Sequence, residues 1–86
     1  LTKALSVELA RFNIRVNSVC PTYVETELTK KTLQNETQRE FLLDRIPLNR
    51  FANTSDVANA VLFLLSGLSS MITGESIMVD GGWTAQ

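Results

Sequence analysis

A helix-patterned stretch that passes through one residue into a β-branched run closed by proline constrains this chain more than any other feature. Leu1, Ala4, Leu5, Leu9 and Phe12 recur at helical spacing. Asn13 then stands where helices end in a left-handed residue, a conformation that asparagine tolerates better than most. Ile14-Arg-Val-Asn-Ser-Val-Cys20 follows, and Pro21 stops it. The run is short and apolar at Ile14 and Val19, so it reads as a strand buried on both faces, as in a parallel sheet. A helix turning tightly into such a strand is the α/β pattern.

The same logic recurs downstream. Asn53-Thr-Ser-Asp56 is a helix start, with Asn53 or Thr54 as the cap and Asp56 in the first turn, where a negative charge suits the helix dipole. Residues 57–66 are apolar nearly all round, so this helix is expected to be buried on more than one side, with Gly67 at its exit. Thr73-Gly74 reads as a turn, and Ser76-Ile-Met-Val-Asp80 as a strand ended by Gly81-Gly82. Residues 22–45 form a polar excursion with two short helical pieces, the second capped by Asn35 with Gln38. Its apolar surface is too sparse for rigidity, and a lid over about residues 27–45 is expected.

Residues 1–12 present an apolar face wider than one stripe, which calls for cover on two sides. Helical periodicity already runs at Leu1 with no capping residue before it, so the helix is expected to begin upstream and the chain to be a fragment. Composition excludes several classes of function. The chain is 44% hydrophobic and 20% charged with a net charge of −1, an ordinary globular balance without the basic stripe of a nucleic-acid binder. There is no histidine, so Ser–His and Cys–His nucleophiles cannot be assembled from these residues. Cys20, the one cysteine, can form neither an internal disulfide nor a cysteine-based metal site, and reads as a buried structural thiol. No metal is expected. The apolar run from Val57 to Leu65 is about half the roughly 20 residues that a membrane span requires.

Ligands of open parallel α/β sheets bind beyond the carboxyl ends of the strands. Here that position is Pro21-Thr-Tyr-Val-Glu-Thr26, whose amides and hydroxyls, above all at Val24 and Thr26, can bond a ligand amide or phosphate. By the residues alone, the signal is weak and a plain turn is the stronger reading. Asp80-Gly81-Gly82 reads as a strand-ending turn rather than a metal or phosphate loop, and Trp83 as core, substrate-facing or interfacial.

Six motifs occur in order: Ile14-Arg-Val-Asn-Ser-Val-Cys-Pro21, Val24-x-Thr26, Arg45-Ile-Pro-Leu-x-Arg-Phe51, Asp56-Val-Ala, Phe63-Leu-Leu-Ser66 and Thr73-Gly-x-x-Ile-Met-Val-Asp-Gly-Gly82. Together, over essentially the whole chain, they resemble the C-terminal third of a short-chain dehydrogenase/reductase. Pro21-Thr22 departs from the commoner Pro-Gly of that family. With Arg-Ile-Pro-Leu and Phe-Ala, it looks most like the branch of L-xylulose (dicarbonyl) reductases and tetrameric carbonyl reductases.

The resemblance implies a doubly wound, Rossmann-type parallel sheet, incomplete here, with residues 1–86 the C-terminal portion of one NAD(P)-binding domain. It implies hydride transfer between NADP(H), with NAD as the alternative, and a small carbonyl or sugar substrate such as L-xylulose or an α-dicarbonyl, in a cytoplasmic enzyme. The catalytic Tyr, Lys and Ser and the glycine-rich turn are expected upstream of Leu1. Tyr23 is not that tyrosine, because the position four residues on is Glu27 rather than lysine, and it reads as a wall residue. Val24 and Thr26 would hold the nicotinamide carboxamide, and Pro21 and Thr22 would border the ring. Leu28, Leu33 and Phe41 would belong to the substrate lid. A homotetramer through the 1–12 and 57–66 helices and the 76–80 strand, with Trp83 interfacial, is the family's pattern. Competing expectations are a truncated, non-catalytic interaction module and, within the family, a 3-oxoacyl reductase or sugar-alcohol dehydrogenase.

Overall fold

The computed structural model describes residues 1–86. Helix α1 spans Thr2–Leu9 and tightens into one 3-10 turn over Ala10–Phe12. Asn13 ends it in the left-handed conformation, at φ 59° and ψ 36°, as its place in the sequence predicts. The inward residue of α1 is Ser6 rather than a large apolar side chain. The backbone of Gly74 is the reason: an added Cβ there would lie 2.7 Å from Ser6 Oγ, so only a small side chain fits below it. Lys3 Nζ adds a hydrogen bond of 3.3 Å to the Gly74 carbonyl. Val7 and Phe12 lie largely exposed.

Strands β1 (Ser18–Pro21) and β2 (Ser76–Val79) pair in parallel, with Ser18 opposite Ser76 and Pro21 opposite Val79. The run expected at 14–20 is therefore shorter at its start and one residue longer at its end. Before Ser18 the partner is a turn. Val16 N–H donates to Thr73 Oγ1, Asn17 Nδ2 donates to the Ile72 carbonyl, and Asn17 Oδ1 accepts from Glu75 N–H. Side chains thus join one backbone bond there, from Gly74 N–H to the Val16 carbonyl at 2.8 Å. Cys20 is half-buried rather than fully enclosed.

Helix α4 (Thr54–Leu65) packs against both strands. Helices α2 (Glu27–Lys30) and α3 (Glu36–Asp44) precede it on the excursion. Asn53 is the N-cap of α4 and forms a reciprocal box: its Oδ1 accepts from Asp56 N–H at 2.9 Å, and Asp56 Oδ2 accepts from Asn53 N–H at 2.9 Å. Arg50 Nη1 closes on the same carboxylate at 3.0 Å. The backbone bond from Asn53 and then the Arg50 guanidinium hold the Asp56 pKa below its ordinary value. Burial of α4 on several sides is not met within this chain: Leu64 is its buried residue, while Leu62 and Leu65 are 62% and 76% exposed. Nor does Gly67 supply the exit. Ser66 ends the helix in extended backbone at φ −89° and ψ 164°, and its hydroxyl donates to the Phe63 carbonyl at 2.7 Å. Arg15 does the rest, donating to the carbonyls of Leu64 at 2.8 Å and Ile72 at 3.1 Å and to Ser69 Oγ at 3.1 Å.

The excursion departs most from expectation. It holds three helical pieces, α2, a 3-10 turn over Thr32–Gln34, and α3, the last capped by Asn35 Oδ1 accepting from Gln38 N–H. It also carries the best-buried apolar cluster of the chain: Leu33 and Leu42 close on Ile46 and Phe51, with Leu43 and Trp83 against them. Sparse apolar residues suffice because the segment folds onto the Ile46–Phe51 loop rather than onto itself.

Candidate functional site

The carboxyl ends of β1 and β2 lie side by side, so Pro21-Thr22 and Val79-Asp80 emerge together. Beyond Thr22 the chain remains extended and forms a second parallel bridge, Val24 to Ala52. Ala52 N–H donates to the Tyr23 carbonyl at 3.1 Å, and Glu25 N–H donates to the Ala52 carbonyl at 2.8 Å. Successive peptide groups of an extended chain alternate in direction, so the N–H and C=O of Val24 face away from Ala52. The Val24 carbonyl accepts from Thr29 Oγ1 at 2.7 Å, while its N–H has no acceptor in the chain.

Thr26 caps α2: its Oγ1 accepts from Thr29 N–H at 3.2 Å, and Thr29 Oγ1 accepts from Thr26 N–H at 2.8 Å. The two hydroxyls also meet at 3.2 Å. Tyr23 lies against Phe51 edge-on at 6.3 Å and against Trp83 at 5.5 Å, which makes it a wall between the turn and the core. Arg39 of α3 reaches across to Glu25 at 3.5 Å and over the Phe51 ring at 5.1 Å.

Three concavities flank this turn, one of them a polar hollow of about 460 Å³ against Glu25, Thr26, Lys30 and Thr54. A small one of about 190 Å³ is bounded by Thr22, Val24, Thr29, Leu33 and Leu42. A larger, open one of about 570 Å³ lies between Thr22-Tyr23, the Ile46–Leu48 loop and Asp80–Gly82. Its far wall is held by Asp80, whose carboxylate accepts from the Thr84 hydroxyl at 2.6 Å, from Thr84 N–H at 3.0 Å and from Gly82 N–H at 3.0 Å. The Thr84 hydroxyl, then the two backbone donors, keep the Asp80 pKa below its ordinary value. The carboxylate is thereby committed to its turn. Gly81 and Gly82 take φ of +62° and +98°, and a Cβ on Gly81 would stand 2.6 Å from Ile46 Cγ2.

Of the residues singled out in the sequence, Pro21, Thr22, Val24 and Thr26 come together at this one strand end. The lid residues do not share one surface: Leu33 is buried in the core cluster, whereas Leu28 is 88% exposed and Phe41 carries Arg45 over its ring at 3.6 Å. Sequence reasoning missed Thr29 and Ala52. For Thr29 a signal existed, the Thr-x-x-Thr spacing that sets two hydroxyls at the ends of one helical turn. For Ala52 there was none, since a bridge between distant segments leaves no local pattern.

Residues 1–84 match a family described as enoyl-(acyl carrier protein) reductase. L-xylulose reductase of Caenorhabditis elegans is 46% identical over 84 residues, covering 98% of this chain and 34% of that protein. The 3-oxoacyl-[acyl-carrier-protein] reductase FabG of Thermotoga maritima is 49% identical over 82 residues, covering 95% of this chain and 32% of that protein. Among solved structures, a candidate 2-deoxy-d-gluconate 3-dehydrogenase from Agrobacterium tumefaciens with bound NADP matches at a TM-score of 0.93 and 36% identity, over 99% of this chain and 35% of that one. A 4-hydroxyisoleucine dehydrogenase complexed with NADH matches at 0.93 and 33% identity, again over 99% and 35%. The chain thus spans about a third of the length of the relatives it matches. Its parallel pair with α4 across it is part of a Rossmann-type doubly wound sheet. An oxidoreductase from Burkholderia thailandensis, described as of the short chain dehydrogenase/reductase family, matches at 0.87 and 40% identity over 99% of this chain and 34% of that one. By its ordered motifs, its strand-end turn and these likenesses, the chain belongs to the short-chain dehydrogenase/reductase family.

Proposed function

We propose that residues 21–26 are the nicotinamide side of the cofactor site of an NADP(H)-dependent reductase of small carbonyl compounds, L-xylulose or an α-dicarbonyl, working in the cytoplasm. One observation carries this reading: the Val24 N–H stands without a partner at the carboxyl end of a parallel strand, beside a carbonyl and the Thr26 hydroxyl. A primary carboxamide needs an acceptor for its NH₂ and donors for its oxygen, and this edge offers both within one turn. The Val24 carbonyl keeps a second lone pair after its bond to Thr29, and the Thr26 hydroxyl retains its own proton to donate. Bound there, the nicotinamide supplies or takes up a hydride. The chain's part is to fix which ring face meets the substrate, with Pro21 and Thr22 bordering it. NADP is supported by the NADP-bound neighbour, with NAD, as in the NADH-bound neighbour, the alternative.

Residues 27–45 form the substrate-side lid in this reading, anchored by Leu33 and Leu42 in the core cluster, with Leu28 and Phe41 as its exposed apolar side chains. Assembly as a homotetramer would cover Val7 of α1 and Phe12 of the turn after it, Leu62 and Leu65 of α4, and Met78 of β2, all of them exposed.

A second reading, a 3-oxoacyl reductase, is favoured by the 49% identity to the Thermotoga FabG. NADPH oxidation by the full-length gene product separates the two. Diacetyl and L-xylulose should be turned over with a kcat/KM at least about tenfold above an acetoacetyl thioester, a difference of about 1.4 kcal/mol in transition-state binding. The reverse ratio would establish the second reading, and no NADPH oxidation with any of the three would end both.

A further inference from the structure

The geometry points to Thr29 as a positioning residue for the cofactor edge, setting the direction of the Val24 carbonyl and the Thr26 amide through one hydroxyl. The inference rests on the carboxamide reading above.

Thr29 Oγ1 donates to the Val24 carbonyl at 2.7 Å and accepts from Thr26 N–H at 2.8 Å. Its backbone N–H donates to Thr26 Oγ1 at 3.2 Å, and the hydroxyl lies 3.2 Å from that same oxygen. One side chain thus touches two of the polar atoms on which the proposed site depends, the Val24 carbonyl and the Thr26 hydroxyl, and the Thr26 amide beside them. The opposite edge of the strand is pinned by Ala52, through the bonds from Ala52 N–H to Tyr23 and from Glu25 N–H to Ala52. Only the Thr29 edge is held by a side chain.

Two consequences follow. With its oxygen engaged by Thr29, the peptide group joining Val24 to Glu25 is fixed in rotation, so the second lone pair of the Val24 carbonyl keeps one direction instead of sampling several. With its oxygen engaged by Thr29 N–H, the Thr26 hydroxyl is held in place, its proton shared between Thr29 Oγ1 at 3.2 Å and a bound ligand. Both effects reduce the ordering needed when a ligand amide binds, which is how preorganisation raises affinity. Thr29 touches the turn and not the proposed ligand.

The test uses the full-length gene product and direct binding titrations. The probes are NADPH and NADH, each paired with its counterpart lacking the nicotinamide, 2′-phospho-ADP-ribose or ADP-ribose. Thr29→Val keeps the shape but strands the Val24 carbonyl and Thr26 N–H. It should weaken the preferred dinucleotide about tenfold while leaving the nicotinamide-free probe within about twofold, and Thr29→Ser should recover most of the loss. Equal weakening of both probes would mean a merely structural hydroxyl and would overturn the inference. So would a Thr29→Val variant that still favours the intact dinucleotide as strongly as wild type. If wild type binds the dinucleotide no tighter than its nicotinamide-free counterpart, the carboxamide reading itself fails, and the role of Thr29 falls with it.

Discussion

At the scale of single residues, the site is organised by groups that spend their hydrogen bonds on the backbone. Asp80 shows this most plainly. Its carboxylate accepts three bonds from Gly82 and Thr84, and it is only 7% exposed. A carboxylate whose pKa is held below its ordinary 3.8 stabilises the fold above that pH and loses the contribution as pH falls through the lowered value. Asp80→Asn in the full-length protein should therefore lower the denaturant midpoint at pH 7, and the gap to wild type should shrink below about pH 3.8 as the wild-type carboxyl is protonated. A gap of equal size at pH 7 and pH 3 would show that the charge has no part in it. Asp56, held down by Asn53 and Arg50, responds to acid with the same sign. Chemistry of this kind was partly legible beforehand: an Asp-Gly-Gly after a strand announces a turn, but nothing local revealed that Thr84 would close the ring of bonds around it.

At the scale of elements, helix ends explain more than helix middles. The start of α4 was readable from Asn53 and Asp56, because a capping box is a local device spaced three residues apart. Its end was not. Glycine after an apolar helix suggests a left-handed cap, yet Arg15, 49 residues away in sequence from Leu64, takes the terminal carbonyl instead. A cation there both satisfies orphan acceptors and suits the negative end of the helix dipole. Arg15→Met, which keeps the aliphatic stem, should destabilise the full-length protein by about 2 kcal/mol in denaturant unfolding, since the buried Ser69 and the Leu64 and Ile72 carbonyls lose a charged donor. A change below about 0.5 kcal/mol, the usual range for a surface substitution, would show that water replaces the guanidinium without loss.

For the molecule as a whole, the decisive property is how much it leaves uncovered. A folded chain of 9.5 kDa is expected to expose about 5,000 Å². This one exposes 6360 Å², and its radius of gyration is 15.7 Å against about 12 Å for a compact domain of this length. Only 9 of 86 residues are buried, and both strands have an unpaired edge. The 86-residue chain in isolation should therefore melt gradually and bind a hydrophobic dye such as ANS, because its paired strands and α4 lack neighbours. A sharp, cooperative calorimetric transition from a monomer would show instead that the small Leu33–Phe51 cluster suffices.

The sequence alone determined the elements whose signals are local: the Asn13 turn, the β-branched strand, the Asn53 cap and the Pro21–Thr26 strand end at which we place the proposed ligand. Each rests on backbone preference or on hydrogen bonds a few residues apart, which the order of residues encodes directly. Tertiary structure decided the rest. It turned a seemingly loose excursion into the best core of the chain, gave the end of α4 to Arg15, and aligned Ala52 with Val24. Such contacts depend on how segments far apart in the chain meet, and burial belongs to the assembled surfaces rather than to any one stretch of sequence.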